Sequence, residues 1–199
     1  MDRAVRRALP GDIPAVTEAV VLAFHDDPVW SWAFPDVSLR PAQFAVWWGF
    51  LVGAGFRNGE IWVAGECDAI SVWFRPGDRE LTEDEETQVV PMLAELLGAR
   101  SELVLDLVMR FDAAHPQEVP HYYLSILATH PRARGKGIGM ALTESVLASR
   151  VDADGVPAYL ESSNPNNHAR YERAGFARRE TVGMPQDCPP ILTMWRDPR

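Results

Sequence analysis

Between His121 and Gly139 the chain reads HYYLSILATHPRARGKGIG: an apolar strand, a basic elbow, a glycine-rich turn and the start of a helix. Leu124 to Ala128 is a compact apolar run followed by turn signals, as in a buried strand. Pro131 has no amide to give to a sheet ladder and stops it. Three glycines follow, Gly135, Gly137 and Gly139, where the main chain can approach a ligand without a Cβ in the way. From Met140 to Arg150 the spacing of Ala141, Leu142, Val146 and Leu147 predicts a helix. A helix that opens on free N–H groups attracts phosphate oxygens through those donors and its dipole. The segment therefore points to a phosphate-bearing ligand.

The rest of the chain narrows the field. With 199 residues and 47% hydrophobic content it can bury a core. A net charge of −9 argues against general nucleic-acid binding. Cys67 and Cys188 have no metal-ligand spacing, so no metal is expected, and a reduced, cytoplasmic protein is the expectation. The charged opening Met1–Arg7 is not followed by an apolar segment, so no leader is expected. No apolar run approaches the ~18 residues a membrane helix needs.

In chain order, Ala4–Ala8 reads as a strand, with Asp12 the N-cap of a helix that runs to about His25. Pro41 opens a second helix, and Ile61–Ala64 and Ala69–Phe74 read as a hairpin. Leu81–Ala114 is helical, with breaks expected at Pro91 and Gly98. After the organising segment come a strand at Pro157–Glu161, a helix over Asn164–Ala174 and two strands, Phe176–Val182 and Ile191–Trp195. A strand–helix–strand crossover makes the two central strands parallel. The fold class is α/β (α+β), a single domain over 1–199 with a mixed sheet.

Two blocks carry a family resemblance. Arg134-Gly-Lys-Gly137-Ile-Gly139 resembles the glycine signature of the Gcn5-related N-acetyltransferase (GNAT) superfamily. Asn164-Pro-Asn-Asn167-His-Ala-Arg-Tyr171-Glu-Arg-Ala-Gly175-Phe176 resembles that superfamily's Asn…Tyr-Glu-basic-x-Gly-Phe block. Shorter stretches, such as Ile61-Trp62-Val63-Ala64 and Val156–Glu161, are similar to the puromycin N-acetyltransferase branch. Residues 25–50 and 80–121 differ most from it, and Thr129 and Arg170 depart from the family pattern.

The resemblance implies a central sheet of about six to seven strands flanked by helices. It implies acetyl-CoA as co-substrate and direct acetyl transfer to a primary amine of a small molecule in a ternary complex. The two parallel strands would splay near Leu127 and Leu160, and pantetheine would lie along Leu127, Ala128 and Thr129. Arg134, Gly135, Lys136, Gly137, Ile138, Gly139 and Met140 would cradle the pyrophosphate. Asn164 or Asn167 would contact CoA, the choice left open. Tyr171 is the candidate general acid, and Glu161 the leading candidate base, with His121 and Tyr123 as others. Asp26 and Asp27 with Trp30 and Trp32 are candidates for a cationic acceptor pocket. Two rivals remain: a CoA-binding non-catalytic sensor, and a dinucleotide-binding oxidoreductase, whose glycine spacing does not fit. The seven tryptophans are also compatible with a homodimer face.

Overall fold

The computed structural model describes residues 4–199. The first three residues of the charged opening segment lie outside the described residues. Seven strands form one sheet: β1 (Val5–Arg7), β2 (Glu60–Ala64), β3 (Ala69–Phe74), β4 (Tyr122–Thr129), β5 (Ala158–Ser162), β6 (Ala177–Val182) and β7 (Ile191–Arg196). Their spatial order is β1-β2-β3-β4-β5-β7-β6, and among the described residues only β4 and β5 pair parallel.

Helices cover both faces. On one side lie α1 (Ile13–Phe24), α2 (Pro28–Ala33), α3 (Arg40–Asn58), α4 (Glu83–Leu97) and α5 (Ser101–Ala114). Val20, Trp48 and Val52 from this layer pack on Ile61, Ile70 and Val72. On the other side α6 (Ile138–Val146) and α7 (His168–Arg173) bury Leu142, Val146 and Tyr171 against Tyr122, Leu124 and Met194.

Two expected features differ. Asp12 stands at the N-cap position of α1 but its side chain makes no capping bond there. Its carboxylate accepts from Leu9 N at 2.7 Å and pairs with Arg6 at 2.6 Å, closing the turn Pro10–Asp12. Nor does Pro91 break its helix, since α4 runs through it. An interior proline costs about 3 kcal/mol. The same helix buries Val89 and Leu93, at about 1.5–3 kcal/mol each, and carries a Thr82–Glu85 capping box, which together offset that cost. Gly98, as expected, separates α4 from α5.

Two irregularities in β4 position the site. Its ladder with β5 lasts for only two residue pairs, Tyr122↔Ala158 and Tyr123↔Tyr159. Beyond them the parallel strands are no longer paired. Opposite β3, Val72 pairs with Ile126 and Trp73 with Leu124, so Ser125 is an inserted residue. This bulge reverses the alternation of the strand. Before it, Tyr122 and Leu124 pack toward α6; after it, Ile126 and Ala128 pack toward α1 and α3. Bulges next to open sheet edges re-aim side chains in this way.

Candidate active site

Where β4 and β5 separate, a cavity of about 830 Å³ runs from the glycine turn to the helices α2, α3 and α5. Its first end is the cradle. Gly137 precedes α6 with φ +72°, a left-handed conformation that costs a side chain about 1–2 kcal/mol. Gly139 allows close packing: a Cβ there would lie 2.5 Å from Thr129 Oγ1. After Arg134 N, which donates to Pro131 O, the next amide to reach a carbonyl is Ala141, bonded to Gly137 O at 3.0 Å. The intervening N–H groups at the head of α6 are the donors a phosphate needs. The turn therefore fits a diphosphate.

The middle of the cavity holds Tyr171, Asn164 and Asn167. Tyr171 is buried at 8% exposure, with its ring against Phe176. Burial, and then the Asp27 charge, push its phenol well above the usual tyrosine range, so it stays protonated through neutral pH. Asn164 Oδ1 accepts from Asn166 N at 3.0 Å, opening the turn Pro165–Asn167. Asn167 Oδ1 accepts from Arg170 at 2.5 Å.

The far end combines carboxyls with aromatic walls. Glu80 and Glu161 both line it, together with Tyr123, Trp30, Trp47 and Phe111. The bulged Ser125 donates its hydroxyl to Glu80. Burial is the main cause that pushes the Glu80 carboxyl up to about 7; the Ser125 bond opposes this and the Glu161 charge adds to it. Burial first, then the Glu161 charge, also raise the Tyr123 and Tyr159 phenols. Two carboxyls in one apolar enclosure suit an ammonium group and its deprotonation.

Most of the residues singled out from the sequence meet in this cavity. Leu127, Thr129, Arg134, Gly135, Gly137, Ile138, Gly139 and Met140 line it with Asn164, Asn167, Glu161 and Tyr171. Ala128 and Lys136 do not. Ala128 turns into the core beside α1 and α3, and Lys136 borders an outer hollow with Arg6 and Arg132. Arg132 is committed to Asp68 at 2.7 Å.

Of the candidate acceptor pocket, Asp26, Asp27 and Trp30 line the cavity and Trp32 does not. Asp27 caps α2, accepting from Val29 N and Trp30 N, and takes a further bond from Ser163 at 2.7 Å. Asp26 is 83% exposed at the rim. Trp32 lies under the Arg100 guanidinium at 4.7 Å, away from the cavity. Glu80 also lines the cavity. It precedes the acidic run Glu83–Glu86, and nothing in its sequence context sets it apart from those neighbours. His121 lies behind the wall, bonded to His115. Among the described residues no group of three or more His, Cys, Asp or Glu could hold a metal ion. No helix among them is long and apolar enough to cross a membrane.

Splayed parallel strands with an amide cradle at their mouth leave room for an extended, diphosphate-bearing ligand. Residues 101–176 match the Acetyltransferase (GNAT) family, and that match together with the relatives below indicates an N-acetyltransferase. An uncharacterized N-acetyltransferase of Schizosaccharomyces pombe, C550.08, is 23% identical over 98% of this chain and 83% of its own. A Corynebacterium glutamicum structure described as histone acetyltransferase HPA2 and related acetyltransferase superposes with TM-score 0.74 at 27% identity, covering 100% of this chain and 98% of that one. The fold is shared by an agmatine N-acetyltransferase (TM-score 0.60, 17% identity, 99% and 100% covered) and a Drosophila melanogaster polyamine N-acetyltransferase (0.59, 16%, 98% and 100%).

Proposed function

We propose that residues 1–199 act as a single domain that moves an acetyl group from acetyl-CoA to a primary amine of a small molecule, by direct transfer in a ternary complex. The observation that carries this reading is one continuous cavity with a phosphate cradle at one end and two carboxyls at the other. The co-substrate supplies the activated acetyl thioester. The amides of Gly135 to Met140 hold its diphosphate, and the unpaired edge of β4 at Leu127–Thr129 receives its pantetheine arm.

Glu161 and Glu80 bind the acceptor's ammonium group, and Glu161 takes its proton, because only a neutral amine attacks. Trp30, Trp47 and Phe111 hold the apolar body of the acceptor and exclude water. Tyr171 supplies the proton that the departing sulfur requires. Neighbours of this fold named for agmatine, polyamines and arylalkylamines support a small amine as acceptor. The test is thiol release from acetyl-CoA against a panel of arylalkylamines, polyamines, amino acids and puromycin. Turnover with one small-amine class is the expected result; release with none of them, while CoA still binds, would overturn the proposal.

A further inference from the structure

Glu161 has a second neighbour on the side away from the cavity. His115, just past the end of α5, places Nδ1 3.6 Å from a Glu161 oxygen. Its Nε2 lies 3.0 Å from His121 Nε2, and His121 Nδ1 lies 2.6 Å from Val119 O. The hydrogen positions follow from these contacts. A carbonyl only accepts, so His121 Nδ1 carries hydrogen. Burial, first of all, lowers the His121 pKa and keeps the ring neutral near pH 7, so its Nε2 is a lone pair. The 3.0 Å contact then requires hydrogen on His115 Nε2. That leaves His115 Nδ1 facing Glu161. The lone pair there is placed to receive a proton that the Glu161 carboxylate takes up.

The setting keeps this arrangement. The rings of Tyr123 and Tyr159 stand edge-on to His115 at 4.6 and 5.0 Å, and Trp195 packs on His121. Tyr159 donates to Ala114 O at 3.1 Å, holding the end of α5 beside β5. The other charges facing the pair are Glu80, which acts on His115, and Arg179 of β6, which acts on His121. The Glu161 side chain is 3% exposed and that of His115 is 26% exposed, so the two join the cavity to solvent.

We propose that Glu161 and His115 form the proton outlet of the reaction, with His121 a positioning residue that fixes the tautomer of His115. The inference rests on the acetyl-transfer reading with Glu161 as base. An acceptor ammonium loses two protons on becoming an amide. Glu161 takes the first before the C–N bond forms and passes it through His115 Nδ1 to solvent. Tyr171 gives its own proton to the sulfur as the C–S bond breaks and recovers the second from the nitrogen.

The test uses the full chain with His115→Ala and His115→Gln, the latter keeping a donor for His121 but unable to carry a proton. Both variants should lose about tenfold in kcat with the KM for acetyl-CoA unchanged. Imidazole in the buffer should restore His115→Ala and not Glu161→Gln. Nitrogen-15 NMR of labelled histidine should show the Nε2–H form of His115 and the Nδ1–H form of His121. Unchanged kcat in both His115 variants, a loss that imidazole does not repair in a folded His115→Ala protein, or the opposite tautomer of His115 would each overturn the outlet. Should Glu161→Gln itself turn over normally, the base assignment fails instead, and the two failures are thereby distinguished.

Discussion

The cradle and the acceptor end share one cavity, yet the chain builds them by different means. The cradle comes from one uninterrupted segment, the end of β4 through the first turn of α6. Its properties are main-chain properties: left-handed glycines, free amides and a helix terminus. The acceptor end is gathered from far apart. Ser125 reaches Glu80 across 45 positions, and Ser163 reaches Asp27 across 136. Its properties belong to side chains and to burial. The first kind of site tolerates changes elsewhere in the fold, whereas the second depends on every element that carries a member.

Four substitutions test this contrast. The largest effect is expected for Tyr171→Phe, which removes the proposed acid where the two ends meet. Its kcat should fall by roughly 10²-fold or more, with CoA affinity by calorimetry unchanged; equal turnover would remove Tyr171 from the chemistry.

Arg40→Ala comes next. The buried guanidinium donates to the carbonyls of Phe34, His25, Pro35 and Ser31, tying together the chain around α2. Loss of these charge-assisted bonds should cost about 3 kcal/mol in denaturant unfolding. The KM for the amine should rise while that for acetyl-CoA holds. An equal rise in both would dissolve the distinction between the ends.

Gly137→Val should do the reverse, weakening CoA binding about tenfold through a strain of about 1–2 kcal/mol, with little effect on the amine.

The smallest effect is on stability, in Glu80→Gln. The Glu80 pKa is raised in the folded state from 4.5 to about 7. Between those values the native chain holds a proton that the unfolded chain releases, so stability falls as pH rises through this window and levels off above it. Glu80→Gln should remove that slope and gain on the order of 1 kcal/mol at pH 8, read from melts at pH 5 and pH 8. An unaltered slope would mean that Glu80 is solvated and plays no part in a dry pocket.

The glycine turn, the crossover that makes β4 and β5 parallel, and Tyr171 on the following helix are all legible in the sequence. Each depends on φ preferences, apolar periodicity or a motif spanning a dozen residues or so. The hairpin of β2 and β3 was legible for the same reason. Asp12 and Pro91 misled, because each local preference was overridden by a partner elsewhere: Arg6 for the first, buried Val89 and Leu93 for the second.

What the amino-acid order determined alone is thus the glycine turn, whose free groups are backbone amides placed by neighbouring residues. Only the tertiary structure brought Glu80 into one cavity with Asp26 and Asp27, turned Ser125 out of its strand and set His115 behind Glu161. A carboxyl becomes special through desolvation and through the charges beside it, and both are supplied by distant segments. The bulge at Ser125 likewise exists only in the register between β3 and β4, which no single strand encodes.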